Sequence, residues 1–136
     1  MVDFEKPLAL SLNARNAKIR TMCGRLQSPD QSTKDGALEE LEETPKDFKF
    51  DVLRFTSLKR IKIEASKGNY STTIGDLITI KNSYRFYSIY NNDDIEAFID
   101  DISKALIRSL KDDGYKIKYK INSAKRSFVC RVFWKK

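Results

Sequence analysis

Histidine is absent from the 136-residue sequence, and cysteine occurs only twice. Without His the commonest general base, metal ligand and physiological-pH switch are missing, which excludes Ser-His and Cys-His catalysis and most zinc sites. The five glycines are scattered, and none builds a phosphate-cradling loop after a strand. No apolar run approaches the length that spans a bilayer, and the first residues lack the basic start and long apolar core of a secretory signal. Cys23 and Cys130 therefore read as reduced thiols of a protein that stays in a reducing compartment.

What is present is unevenly distributed. All three prolines lie in the first 45 residues, whereas 14 of the 15 aromatics lie in 48–136. Residues 1–47 carry 7 Lys+Arg against 9 Asp+Glu, net −2; residues 48–136 carry 19 against 10, net +9. Composition and charge thus predict an N-terminal arm with an acidic linker (1–47) and a folded α+β domain (48–136). Within the arm, Ile19, Met22, Cys23 and Leu26 repeat at helical spacing; in a free monomer this segment reads as a disordered N-terminal tail, and alternatively these four are the candidate contacts of a segment that orders on a neighbour. Residues 28–47 hold seven acids and two lysines and read as a linker with one helical turn at 37–43.

Beyond the linker, period-two alternation predicts strands at 48–55, 58–64, 70–74, 77–80 and 84–90, with a turn at Lys67-Gly68-Asn69. One long amphipathic helix follows. Asn91 or Asn92 caps it, Asp93, Asp94 and Glu96 fill its first turn, and Ile95, Phe98, Ile99, Ile102, Leu106 and Leu110 form its apolar stripe. Gly114 is its left-handed stop. After it the period returns to two, as a hairpin with Tyr115, Ile117, Tyr119 and Ile121 opposite Phe128, Cys130, Val132 and Trp134. The expected architecture is a mainly antiparallel sheet with that helix packed on one face.

Candidate chemistry is sparse. Asp93/Asp94, Asp100/Asp101 and Asp112/Asp113 are adjacent in sequence, and adjacent helical residues diverge by about 100°, so none forms a convergent acid pair. Cys130 sits in the core stripe rather than at a reactive site. Neither a metal, a cofactor nor a small-molecule substrate is implied, and a non-enzymatic role is expected. The strongest electrostatic feature is the final hairpin: residues 114–136 hold eight Lys+Arg and no acid. Lys116, Lys118 and Lys120 share a strand face, followed by Lys125, Arg126 and Arg131. Such a stripe can track phosphates without reading sequence. It can equally be a solvated edge that lysines protect from aggregation, or a face that meets an acidic protein.

IEASKGNYSTTIGDL (63–77), LIRSLKDDGYKIKYKI (106–121) and FVCRVFW (128–134) together resemble a small module found in uncharacterised proteins of large DNA viruses and phages, with Gly114-Tyr115 and Trp134 at its characteristic positions. The chain departs from that pattern by inserting about residues 77–92 and by carrying the long arm. The resemblance implies a viral structural protein, a minor capsid-associated component of the virion or of host cytoplasm, whose arm orders on other subunits of a larger assembly. The alternative is a nucleic-acid-binding accessory protein that uses the basic hairpin.

Overall fold

A computed structural model describes residues 5–89 and 92–134. The fold is α+β, in two compact units, Met1–Thr56 and Ser57–Lys136.

The first unit is helical. Helix α1 (Glu5–Leu26) and helix α2 (Gln31–Glu42) pack against each other, and helix α3 (Lys46–Ser66) begins in this unit and ends in the next. Over 28–47 the structure corrects the expected linker with one helical turn: α2 is a 12-residue helix. Its acids point outward while Ala37 and Leu41 are fully buried, so net acidity coexists with an apolar face. Asp30 opens α2, and its carboxylate accepts hydroxyl hydrogen bonds from Thr33 at 2.6 Å and Ser32 at 3.0 Å. Arg15 of α1 pairs with Asp51 at 2.6 Å and lies 5.7 Å over the Phe48 ring, which ties α1 to the start of α3.

Helix α3 replaces the strands expected at 48–55 and 58–64. The apolar alternation there is real, but the buried set is Lys49, Val52, Leu53, Thr56, Ser57 and Ile61, which is helical spacing. Half of that stripe is polar. Thr56 is buried because its hydroxyl donates back to the Val52 carbonyl at 2.7 Å, and Lys49 extends its ammonium to Glu42 at 3.1 Å. Phe55 and Ile63 conversely stay exposed, so hydropathy alone gives the wrong period.

The second unit holds a three-stranded antiparallel sheet in the order β1-β3-β2, from β1 (Ser71–Thr73), β2 (Lys116–Asn122) and β3 (Ser127–Phe133). The turn at 67–69 and the C-terminal hairpin lie where the sequence puts them. A 3₁₀ turn, Gly75–Leu77, follows β1. A side chain at Gly75 would meet the Cys130 amide nitrogen at 3.3 Å, so this passage over β3 favours glycine. Arg60, in the C-terminal half of α3, holds the turn with two bonds to Asp76, at 2.6 and 2.7 Å.

Three further expectations are corrected. Residues 77–80 do not join the sheet; Ile80 makes a single bridge with Ile99. In place of a strand at 84–90 there is a short helix α4 (Ser83–Phe86), capped by Asn82, whose side chain accepts from the Arg85 amide; Tyr90 lies outside the described residues. Phe86 is fully buried with its ring edge-on to Phe128, 5.1 Å between centroids. The long helix over 93–113 is broken in two, a 3₁₀ helix Asn92–Phe98 and helix α5 (Asp101–Asp112). Of the caps expected for it, Asn91 lies outside the described residues. The break occurs because residues 79–81 pair with 98–100: the Asp100 amide donates to the Thr79 carbonyl and the Thr79 amide to the Ser103 hydroxyl, at 3.0 and 2.9 Å. Asp100 then caps α5 by accepting from the Ser103 amide at 2.8 Å. Gly114 ends α5 with φ of +99°, the left-handed stop anticipated. Leu106, Ile107 and Leu110 of α5 are buried, and α5 packs on β2. Among the described residues no helix is long and apolar enough to cross a membrane.

Candidate nucleic-acid interface

Alternation along β2 and β3 sorts the hairpin into two faces. Ile117, Tyr119, Ile121, Phe128, Cys130 and Val132 turn toward the helical layer, and the residues between them face solvent. The covered face is chemically quiet. Burial pushes the Cys130 thiol up to about 12, against a small opposing effect of Lys111, so it remains protonated. Burial likewise raises the Tyr119 phenol, which the Glu96 carboxylate and, once ionised, the Cys130 thiolate raise further.

The open face is basic. Lys116, Lys118 and Lys120 are exposed along β2, an edge strand. The register places Lys118 directly across from Arg131, Lys120 across from Val129 and Lys116 across from Phe133. On its other side β3 pairs with β1, which sets Thr73 beside Arg131 and Ser71 beside Phe133. Like charges directly opposed on a sheet destabilise it. Here the two cations diverge: Lys118 rests 5.2 Å above the Phe133 ring, while Arg131 donates to the Ser71 hydroxyl at 3.0 Å. Among the described residues none of the four cations makes an ion pair within 4 Å. The acid that feels this face is Glu64. Its carboxyl is held below the ordinary range first by the Asn69 side-chain amide, then by Lys67, with a smaller contribution from Arg131.

Of the six basic residues singled out in the sequence, four share this face. Lys125 and Arg126 sit instead at the hairpin tip, where the Lys125 amide donates to Asn122 and Arg126 takes a left-handed φ of 49°. The hydroxyls of Ser71 and Thr73 and the ring of Phe133 were missed. Ser71 and Thr73 lie over fifty residues from β3 and join the face only through strand pairing, and Phe133 stands out of phase with the core stripe. The other candidate set, Ile19, Met22, Cys23 and Leu26, is buried in the chain itself, between 0 and 7 % exposed. The α1 stripe expected to meet a neighbour is thus already covered.

The Asp100/Asp101 pair does not converge. Asp100 is a helix cap and Asp101 is exposed, 3.9 Å from Lys81. Among the described residues no three His, Cys, Asp or Glu side chains come together as a metal site would require. Comparison with known protein families, with curated proteins and with solved structures found no match to this chain.

Proposed function

We propose that the protein binds nucleic acid without sequence preference, through the open face of its sheet. The observation that carries this reading is the opposed Lys118–Arg131 pair, flanked by Lys116 and Lys120. These four cations share one face with no ion-pair partner within 4 Å among the described residues, and a bound polyanion neutralises the repulsion between them. Alternate residues of β2 lie about 7 Å apart, so its lysines can engage successive phosphates of an extended strand. Phe133 adds an aromatic surface at one end of the row. The test is a salt titration with single-stranded and duplex DNA. Three or four neutralised phosphates predict a slope of about −2 to −3 in log affinity against log salt for single strands. Absence of binding at low salt, or binding unchanged in the Lys116→Glu, Lys118→Glu, Lys120→Glu variant, removes the proposal.

A second reading, attachment to other subunits of a larger assembly, rests on α1. Leu8 and Leu12, 61 and 50 % exposed, stand one turn apart on one side of α1, and Leu10, 62 % exposed, on the other, all at the opposite end of the helix from its buried stripe. The resemblance to a module of viral proteins gives this reading its setting, a virion or the cytoplasm in which one assembles. Sedimentation tests it: concentration-dependent self-association that Leu8→Lys and Leu12→Lys abolish supports it, and an unchanged monomer removes it.

A further inference from the structure

A second basic feature lies on the helical layer of the same unit. Along α5 runs a half-open groove of about 380 Å³, lined by Glu96, Ala97, Lys104, Ile107, Arg108 and Lys111. We infer that this groove binds a small phosphomonoester, a dianion carried on a compact organic body.

The charge count points to that class. Lys104, Arg108 and Lys111 follow at i, i+4 and i+7, so they share one face of α5. Set against Glu96 they leave a net +2 in the groove, which one dianionic phosphate neutralises and one phosphodiester does not. The three cations are not equally engaged. Lys111 donates to Glu96 at 2.9 Å, and the Tyr119 hydroxyl donates to the same carboxylate oxygen at 3.4 Å. Lys104 and Arg108 have no ion pair within 4 Å among the described residues. Arg108 therefore offers its planar fork to two phosphate oxygens, and Lys104, one turn earlier, offers a point charge. Glu96 acts as an internal anion beside them. Lys111, through that hydrogen bond, holds its carboxyl below the ordinary range, so it is ionised and competes with any ligand for Lys111.

Size and lining complete the argument. The volume lies within the range of small-molecule sites, which begins near 300 Å³, and a bare phosphate would leave much of it empty. Ala97 and Ile107 give the organic body an apolar wall. The groove is separate from the lysine row, because Tyr119, which reaches Glu96, belongs to the covered face of the sheet.

Titration of the full chain with AMP and with glucose 6-phosphate, followed by calorimetry, tests the inference and distinguishes a nucleoside from a sugar body. Saturable binding of at least one, tenfold or more tighter than adenosine, glucose or a dinucleotide without a terminal phosphate, is the expected result. Arg108→Gln and Lys104→Gln should each weaken it about tenfold with the melting temperature unchanged. Glu96→Gln should tighten it several-fold by removing the competing carboxylate. Lys118→Glu should leave it within twofold, so the groove and the sheet face can fail separately. No saturable binding at millimolar ligand, equal binding of the dinucleotide, an affinity indifferent to Arg108→Gln, or a Glu96→Gln affinity no higher than wild type would overturn it.

Discussion

The two units reach a buried core by different routes. In the first, helices α1 and α2 bury a short stripe, and the start of α3 adds a face that is half polar. In the second, α5 is sharply two-sided and covers a sheet whose side chains alternate between core and solvent. A core with a strict period leaves the opposite face equally regular. That regularity puts Lys116, Lys118 and Lys120 in a row. A helical unit with an irregular stripe yields no such array.

Removing a buried leucine from each unit should have the largest effect. Leu110 and Leu41 are both fully buried, so Leu110→Ala and Leu41→Ala should each cost about 2–5 kcal/mol, read by chemical denaturation. The buried thiols report the units separately: Leu41→Ala should speed labelling of Cys23, and Leu110→Ala that of Cys130. Equal acceleration of both thiols in each variant would merge the units into one cooperative body. Next in size is Lys118→Glu. It turns an opposed like-charge pair into an opposite one but gives up the Lys118 contact with the Phe133 ring, so the two effects offset and stability should change by less than about 1 kcal/mol while single-stranded DNA binding falls about tenfold at low salt. A larger fall in stability would make Lys118 a structural residue.

Asp100→Ala should cost about 1 kcal/mol in thermal denaturation, because it removes the cap that starts α5 after the break. A neutral effect would mean that the 79–81 pairing alone makes the break. The smallest effect concerns acid. Because the folded Glu96 carboxyl lies below its unfolded value, its contribution is present above pH of roughly 4.3 and is lost as pH falls through the folded value. Melting temperature should therefore drop less between pH 5 and 3 in Glu96→Gln than in wild type.

Legibility in the sequence followed the same contrast. The C-terminal hairpin, the Gly114 stop and the four cations of the open face were readable because period two and a positive-φ glycine are local signals. Helix α3 was not, because Thr56 and Ser57 hold buried positions that hydropathy assigns to the surface, while Phe55 and Ile63 do the reverse. The break before α5 was hidden as well. Ile95, Ile99, Ile102, Leu106 and Leu110 keep helical spacing straight through it, and the hydrogen bonds that open the helix come from Thr79 and Lys81, some twenty residues away.

The sequence by itself determined where charge and aromatic groups accumulate, the alternation that gives the hairpin a basic face, and the lack of histidine chemistry, since each is a matter of composition or near-neighbour spacing. Only the tertiary structure decided that Lys118 faces Arg131, that Ser71 and Thr73 join them, and that Lys104 and Arg108 border a groove occupied in part by Glu96. Those are relations between distant segments. They are set by strand register and helix packing, and no local period encodes either.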